Sequence, residues 1–267
     1  MGLKTVVLNS ERMNYDGKLD LSVLSSEVKE YASTEQDQIL ERVQGMDVVV
    51  TKEMPVDGDT IARFPDSVQL ICEAGTGYNN IDIEAARARG ITVCNIPAYS
   101  TERVAHTAIM MILNLSSSMQ IQQAMLARGD RSNFTKCMQV SHVEVNGKVL
   151  GVVGAGTIGR EVIKVAQALG MKVLAYTRTP RADEDNLKYV SLEELLKQSD
   201  YISLHCPLTP QTRHMINKET IAMMKPTAYI INTGRGALID EPALIEALKE
   251  GRIAGAGLDV QETEPPV

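Results

Sequence analysis

The sequence predicts an α/β protein with two domains, each built around a parallel sheet. Short apolar, β-branched runs, typical of buried parallel strands, alternate along the chain with segments of helical periodicity. A chain of 267 residues is long for one domain and suits two. The segment Asn95-Ile-Pro-Ala98 interrupts the alternation, since proline disfavours helix in the residue before it. We therefore expect domains at residues 1–98 and 99–267.

The first domain is predicted to be a small layered structure in which strands and helices alternate. Its strands are expected at residues 5–8, 47–51, 70–72 and 91–94. Its helices are expected at residues 21–31, 35–43 and 83–89. Cys72 and Cys94 lie within apolar runs, so we expect both to be buried free thiols.

A long helix is predicted to open the second domain. Ser100 or Thr101 caps it, Glu102 lies in its first turn, and the helical pattern continues towards Leu126. The helix is apolar on much of its circumference, so it is expected to be buried or to pack against a second subunit. We therefore expect a homodimer through this helix.

The rest of the second domain predicts a doubly wound parallel sheet with helices on both faces. Strands are expected at residues 149–153, 173–176, 201–205, 229–232 and 256–260. Helices are expected at residues 158–169, 192–197, 218–224 and 242–249.

Composition argues against several classes of partner. The net charge is −7, which disfavours a general affinity for nucleic acid or for anionic membranes. No uncharged apolar stretch reaches about 18 residues, so no membrane-spanning helix is expected. The N-terminus lacks a signal-peptide pattern and the four cysteines form no C-x-x-C pair, so we expect a reduced, cytoplasmic protein.

A glycine-rich turn lies between the first strand of the second domain and the helix that follows. Gly154 allows a tight turn, Gly156 lets the backbone approach a pyrophosphate, and Gly159 lets the helix pack closely on the strand. The helix N-terminus favours phosphate charge. The predicted cofactor contacts are Gly154, Ala155, Gly156, Thr157, Ile158 and Gly159. The alternative is a flexible glycine-rich connection that binds no ligand.

The end of the next strand bears on the choice of cofactor. A carboxylate is expected there in a site that binds the ribose 2′-hydroxyl of NAD. Thr177 occupies that place, and Arg178 and Arg181 follow it. The missing acid and the nearby guanidinium groups favour the 2′-phosphate of NADP. Alternatively, Arg178 is a solvated surface charge and the cofactor is NAD.

Several segments, in an order that covers nearly the whole chain, resemble those of the D-isomer-specific 2-hydroxyacid dehydrogenase family. They are Glu73-Ala-Gly-Thr-Gly-Tyr-Asn-Asn-Ile-Asp82, Asn95-Ile-Pro-Ala-Tyr-Ser-Thr101, the glycine turn, His205-Cys-Pro-Leu-Thr209, Asn232-Thr-Gly-Arg-Gly236, and Leu258-Asp-Val260 with Glu264-Pro265. The first is most similar to the glycerate dehydrogenase or hydroxypyruvate reductase branch. The resemblance implies a flavodoxin-like substrate domain and a Rossmann cofactor domain.

The resemblance also implies roles for individual residues. Arg235 binds the substrate carboxylate, which a guanidinium fork matches bidentately. Glu264 pairs with the catalytic histidine and keeps it protonated, and Asp259 lies near the nicotinamide carboxamide. The residues whose backbone amides hold the substrate carboxylate are Gly75, Thr76 and Gly77. The residues that line the nicotinamide pocket are Cys206, Pro207 and Thr233. Without the resemblance, Arg235 could equally be a surface residue in a turn, and Glu264 a solvated charge.

The family's acid/base histidine follows the Glu-Pro pair and so falls beyond Val267. We therefore expect this sequence to be part of a longer chain. The histidines present are His106, His142, His205 and His214. We expect structural roles for all of them.

These features predict an oxidoreductase that transfers a hydride between NAD(P)H and C2 of a small 2-keto acid, with hydroxypyruvate or glyoxylate the first choice. One alternative is an NAD(P)-sensing, corepressor-like regulator that binds cofactor without turnover. Another is a formate or phosphite dehydrogenase, since these enzymes share much of the motif order. Turnover of a 2-keto acid would indicate the first, cofactor binding without turnover the second, and oxidation of either anion the third.

Overall fold

The structure is a computed structural model that describes residues 2–179 and 181–264. The chain divides into two compact units, Met1–Tyr99 and Ser100–Val267. Each unit has its own parallel sheet and its own apolar core. Within the described residues, no helix is both long enough and apolar enough to cross a membrane.

The first unit is an α/β layer structure. Its strands are β1 (Lys4–Val7), β2 (Glu27–Glu30), β3 (Val48–Thr51), β4 (Leu70–Glu73) and β5 (Thr92–Cys94). They pair in parallel in the order β2-β1-β3-β4-β5. The helices are α1 (Ile39–Arg42), α2 (Gly58–Ala62) and α3 (Ile83–Ala88). Fully buried side chains of the central strands pack against those of the helices; they are Val6, Val49, Ile71, Ile39, Ile61 and Ala86.

The helix predicted at residues 21–31 is wrong. The chain there forms a 3₁₀ turn at Leu21–Leu24, which begins where the Asp20 carboxylate accepts a hydrogen bond from the Ser22 amide at 3.0 Å. Strand β2 follows and pairs with β1. Strand β1 offers a free edge on the side away from β3, and pairing with that edge overrides the helical pattern of the segment.

The two cysteines of this sheet are less buried than predicted. Cys72 on β4 is half-buried, and Cys94 on β5 is exposed. Both thiols are free, and the two residues are register partners whose sulfur atoms lie 3.2 Å apart. Strand β5 forms an edge of the sheet, so it has a neighbouring strand on one side only.

The second unit is a doubly wound parallel sheet, as predicted. Its strands are β6 (Val149–Val153), β7 (Lys172–Tyr176), β8 (Leu187–Tyr189), β9 (Tyr201–Leu204), β10 (Tyr229–Asn232) and β11 (Gly255–Leu258). Its helices are α4 (Thr101–Ser116), α5 (Met119–Ala127), α6 (Ser132–Thr135), α7 (Thr157–Ala168), α8 (Leu192–Gln198), α9 (Lys218–Ile221) and α10 (Glu241–Lys249). The strand order is β11-β10-β9-β6-β7-β8. One buried cluster includes residues of α4 and α7, and another includes residues of α8, α9 and α10.

Strand β8 is absent from the sequence prediction. It spans three residues, of which only Leu187 is buried, and it pairs in parallel with β7 at the edge of the sheet. A segment this short carries too few alternating positions to predict a strand.

The long helix predicted from residue 100 to Leu126 is interrupted. Helix α4 ends at Ser116, and Ser118 adopts a left-handed backbone with φ 51° before α5 begins. The Ser116 hydroxyl donates to the Ile112 carbonyl at 2.6 Å. Serine hydroxyls that bond to the backbone in this way compete with helix continuation, which accounts for the break.

Candidate functional site

The glycine turn after β6 requires glycine at its first position. Gly154 has φ +100°, and its amide donates to the Tyr176 carbonyl at 2.9 Å. A Cβ at Gly154 would lie 2.7 Å from the Cys206 backbone nitrogen. Both the backbone conformation and the close approach of the loop after β9 therefore exclude a larger residue.

The other two glycines have different surroundings. A Cβ at Gly159 would lie 2.0 Å from the Gly154 carbonyl oxygen, so helix α7 can pack on the turn only with glycine there. Around Gly156, the residue that precedes α7, no atom of the described residues other than those of its chain neighbours lies within 4 Å of the same position. The turn therefore leaves open space at the N-terminus of a 12-residue helix, where a pyrophosphate fits.

The segment after β7 lacks a carboxylate at the place predicted to contact the ribose. The Thr177 hydroxyl donates to the Thr179 carbonyl at 2.7 Å. Arg178 and Arg181 are both exposed. The charge of Arg181 contributes to a lowered pKa of Glu184, after the larger effect of a hydrogen bond from Arg160. The segment after β7 therefore presents the neutral hydroxyl of Thr177 followed by the positive charge of Arg178.

The remaining predicted residues of the second unit follow three neighbouring strands. In the sheet, β9, β10 and β11 lie side by side and run parallel, so the loops after them emerge at one edge. This is the edge at which open α/β sheets bind ligands. The predicted residues in these loops are Cys206, Pro207, Thr233, Arg235 and Asp259.

Asn232 shapes the loop after β10, a role that the sequence does not reveal. Its side chain is fully buried; its Oδ1 accepts from the Gly234 amide at 3.0 Å and its Nδ2 donates to the Arg235 carbonyl at 2.9 Å. Arg235 is half-buried and extended, and its Nη1 donates to the Gly234 carbonyl at 2.9 Å. The turn therefore fixes the backbone from which the guanidinium extends.

Thr233 carries a polar atom that is short of a partner. Its Oγ1 is buried and makes no hydrogen bond within the residues that the structure describes. Buried hydroxyls are nearly always hydrogen-bonded, so this one fits a ligand that supplies the missing donor or acceptor. With the open glycine turn, Thr233 shows that the residues present suit a dinucleotide at this edge.

Glu264 is exposed, and its Oε1 accepts from the Gln261 amide at 3.0 Å. The segment that carries it packs on the loop after β10, since a Cβ at Gly236 would lie 1.9 Å from the Gln261 carbonyl carbon. Pro265, the second residue of the Glu-Pro pair, lies outside the described residues. Glu264 and Arg235 therefore belong to two segments that meet at Gly236.

The two histidines that are not exposed, His205 and His214, contact other side chains of the protein. His205 Nε2 lies 2.8 Å from Ser203 Oγ, and burial lowers the pKa of His205 to about 4, so it is neutral at pH 7. His214 Nε2 lies 3.0 Å from Oε1 of Glu262, which Arg213 also contacts. His106 and His142, the other two, are exposed. The Glu262 contacts escape sequence reasoning because they join positions far apart in the chain.

In the first unit, the predicted substrate loop presents unpaired amides. The Gly75 carbonyl accepts from the Ile96 amide at 2.9 Å, and the Thr76 carbonyl accepts from Asn95 Nδ2 at 2.7 Å. The amides of Gly75, Thr76 and Gly77, by contrast, donate no hydrogen bond within the described part of the chain. Consecutive unpaired amides are suited to an anion.

Comparison with known proteins agrees with this site. Residues 109–267 match the family model described as "D-isomer specific 2-hydroxyacid dehydrogenase, NAD binding domain". The chain is 40% identical over 236 residues to a hydroxypyruvate reductase of Blautia hydrogenotrophica, and the match covers 87% of this chain and 73% of that protein. It is 41% identical over 243 residues to a glycerate dehydrogenase of Methylorubrum extorquens, with 90% and 76% covered.

A solved structure of a reductase is also similar to this chain. A glyoxylate reductase from Paecilomyes thermophila is similar with a TM-score of 0.86 and 34% identity, and the match covers 99% of this chain and 83% of that one. The matched domain is an NAD-binding domain, so the cofactor is a nicotinamide dinucleotide. The glycine turn, the loop of Arg235 and these relatives agree that the chain belongs to the D-isomer-specific 2-hydroxyacid dehydrogenase family, in its glycerate dehydrogenase and hydroxypyruvate reductase branch.

Proposed function

We propose that this protein reduces a small 2-keto acid, hydroxypyruvate or glyoxylate first, to the D-2-hydroxy acid with NAD(P)H. The observation that carries the proposal is the grouping of an open glycine turn, the partnerless Thr233 hydroxyl and the Arg235 guanidinium in loops at one edge of a single parallel sheet. A cofactor cradle beside a carboxylate-binding cation suits hydride transfer to a keto acid.

The chain's own residues bind and orient the reactants. In the second unit, Arg235 binds the substrate carboxylate through its guanidinium fork. In the first unit, the amides of Gly75, Thr76 and Gly77 are suited to hydrogen bonds with a carboxylate. The bound nicotinamide supplies the hydride. Holding the carboxylate in place fixes the position of C2, which lowers the entropic part of the barrier.

The remaining residues hold the cofactor and support the proton donor. The six residues of the glycine turn hold the pyrophosphate, and the nicotinamide is held by Cys206, Pro207, Thr233 and Asp259. Glu264 holds a histidine in its protonated form, so that a proton is available for the keto oxygen. In the family that histidine follows the Glu-Pro pair.

We propose NADP(H) as the preferred cofactor. The neutral Thr177, the exposed Arg178 and the absence of a carboxylate at the end of β7 within the described residues support a 2′-phosphate over a 2′-hydroxyl. We also propose a homodimer through α4 and α5 and a cytoplasmic location, the latter supported by four free cysteines.

The loss of reduced-cofactor absorbance tests the function. The complete gene product is assayed with NADH and NADPH against hydroxypyruvate, glyoxylate, pyruvate and bulkier 2-keto acids, and with formate and phosphite as oxidisable substrates. Turnover of a 2-keto acid supports the proposal. Cofactor binding without turnover of any acid supports the regulator, and oxidation of either anion supports the other alternative.

A further inference from the structure

Buried polar side chains fix the turn after β3, residues 52–54. Asn9 is 5% exposed; its Oδ1 accepts from the Lys52 amide at 2.9 Å and its Nδ2 donates to the Lys52 carbonyl at 2.6 Å. Glu53 has a left-handed backbone with φ 56°, which is unfavourable for a residue with a Cβ. Such a conformation persists only where its surroundings hold it.

A buried carboxylate supports the same turn. Glu73, at the end of β4, is 1% exposed and accepts hydrogen bonds from the Glu53 amide at 3.0 Å and from Asn80 Nδ2 at 2.9 Å. Asn80 also donates to the Met54 carbonyl at 2.8 Å. Burial raises the pKa of Glu73 despite these hydrogen bonds. A buried polar network therefore fixes three consecutive residues.

The turn holds a largely buried ammonium group. The Lys52 side chain is 14% exposed, and its Nζ lies 2.9 Å from Glu53 Oε1 and 3.4 Å from the Tyr99 hydroxyl. Burial acts to lower the pKa of Lys52, but the contacts with Glu53 and Tyr99 outweigh it and raise the pKa, so the group stays charged. An ammonium has three N–H donors, of which the described residues engage two.

The ammonium lies against the loop of residues 75–77. A Cβ at Gly75 would lie 2.9 Å from Lys52 Nζ, so glycine allows the charge to approach the loop backbone. The unpaired amides described above belong to the same three residues. A surface ion pair with the exposed Glu53 would not require the buried hydrogen-bond network that fixes this turn. A cation held beside unpaired amides, by contrast, forms a binding site for a small anion.

We propose that Lys52 binds the substrate carboxylate together with the amides of residues 75–77. The identity of the anion rests on the proposed function, which makes the ligand a 2-keto acid. One ammonium donor and the loop amides supply charge-assisted and neutral hydrogen bonds to the same carboxylate. Lys52 is then a substrate-binding residue of the first unit.

Kinetics of Lys52→Met in the complete gene product test the proposal. Methionine keeps the unbranched apolar stem and removes the charge. We expect the KM for hydroxypyruvate or glyoxylate to rise about 10- to 100-fold, the range for loss of a hydrogen bond to a charged group. The Kd for NAD(P)H and the unfolding midpoint should stay at wild-type values. A KM within about twofold of wild type overturns the proposal.

Lys29→Met is the matched control, because Lys29 lies exposed on β2 of the same sheet. It should change neither KM nor stability. Gly75→Ala provides a second variant that keeps the lysine. Its methyl group would lie 2.9 Å from Lys52 Nζ, the end of a flexible side chain that must move away, and 3.0 Å from Glu73 Oε1. Gly75→Ala should raise KM in the same direction, and an unchanged KM in this variant also overturns the proposal.

Binding of oxamate, an unreactive 2-keto acid mimic, separates this inference from the proposed function. Calorimetry is run on wild type, Lys52→Met and Lys29→Met with saturating NADH. If wild type reduces no keto acid, the proposed function fails, yet oxamate binding lost only in Lys52→Met still supports the anion site. Equal oxamate affinity in all three proteins, or no oxamate binding by wild type, overturns the site.

Discussion

Arg235 takes its place from Asn232, whose buried amide closes the loop after β10. If the guanidinium binds the substrate carboxylate, Arg235→Gln in the complete gene product should raise KM and lower kcat. We expect kcat/KM to fall at least about 100-fold, because a charge-assisted bidentate contact is lost. Steady-state kinetics with hydroxypyruvate check this, and the Kd for the reduced cofactor should stay near its wild-type value.

Arg252→Gln is the control for that change. Arg252 is about as exposed as Glu250, its ion-pair partner. It precedes β11 whereas Arg235 follows the parallel strand β10, so the two residues belong to opposite edges of the sheet. Loss of the Arg252 charge should leave kcat/KM within about twofold of wild type, as for most surface substitutions. Arg235→Gln with the kcat/KM of wild type would remove Arg235 from the substrate site.

Arg178 decides the cofactor preference in our proposal. If its guanidinium binds a 2′-phosphate, Arg178→Gln should raise the Kd for NADPH about 10-fold or more and leave the Kd for NADH nearly unchanged. Lys188→Gln, on the exposed side of β8, is the control. Fluorescence titration with both cofactors measures the effect. An equal change for NADH and NADPH would identify Arg178 as a solvated charge and favour NAD.

At the scale of the element, different glycines of the turn after β6 are expected to serve stability and cofactor binding. Gly159→Ala places a methyl group against backbone that cannot give way, so we expect it to lower the free energy of unfolding by about 1–3 kcal/mol. Gly156→Ala meets open space and should leave that free energy within about 0.5 kcal/mol of wild type. Its methyl group should nonetheless weaken cofactor binding about 10-fold, since it blocks the approach of the pyrophosphate to the backbone.

Urea unfolding and cofactor titration of both variants give the two readouts. The expected pattern is a stability loss only in Gly159→Ala and a pure binding loss in Gly156→Ala. Wild-type cofactor affinity in Gly156→Ala would place the pyrophosphate elsewhere.

Asp200 precedes β9 and connects it with the first residues of β6 and β10. Its carboxylate and backbone contact Val149 of β6, and its carbonyl accepts from the Tyr229 amide of β10. The carboxylate accepts from Lys225 Nζ at 2.8 Å and from the Val149 amide at 2.9 Å, and these contacts outweigh burial and lower the pKa of Asp200. Its stabilising effect is therefore present above about pH 3.9, the unfolded value, and is lost as pH falls through the lower folded pKa.

Asp200→Asn should lower the free energy of unfolding at pH 7 by about 1–2 kcal/mol, a range reduced because Lys225 is partly exposed. Below the folded pKa the variant and wild type should become closer in stability. Urea unfolding at pH 7 and at a series of pH values falling below about 3.9, the unfolded pKa, measures this. A difference between the two proteins that stays constant across the series would contradict a role for the charge.

The glycine turn and the main strands could be predicted because their signals are local. Gly154, Gly156 and Gly159 form one short motif between a strand and a helix, and the apolar runs are continuous. Strand β2 could not be predicted, since pairing with β1 decides its conformation. The left-handed Ser118 depends likewise on hydroxyl-to-backbone bonds that sequence periodicity does not record.

The motifs indicate which residues are candidates for the site, but they do not indicate the side chains that hold those residues in place. Arg235 follows from its motif, whereas Asn232 and the partnerless hydroxyl of Thr233 become evident only from burial. Lys52 carries no sequence signal at all, because the network that fixes it joins β1, β3 and β4 across the sheet. Long-range hydrogen bonds of this kind leave no periodic pattern in the chain.

At the scale of the whole molecule, α4 and α5 expose apolar side chains on the surface that does not face the sheet. One face of α4 is buried among residues of α7 and the strands. The exposed apolar residues of this part of the chain are Met110, Leu113, Met119, Ile121, Leu126, Phe134 and Met138. Five of these side chains lie on α4 and α5, and exposed apolar side chains concentrated on two consecutive helices support the proposed homodimer.

A charge placed in that group should therefore break the dimer. Met110→Glu puts a carboxylate at a position on α4 that is 52% exposed in the single chain, so the fold should tolerate it, whereas burial in an interface would leave the charge unpaired. We expect sedimentation velocity at micromolar concentration to show a dimer for wild type and a monomer for the variant. Val23→Glu, at an exposed apolar position of the first unit, should remain dimeric. A wild-type monomer, or a Met110→Glu dimer of unchanged stability, would exclude an interface on α4.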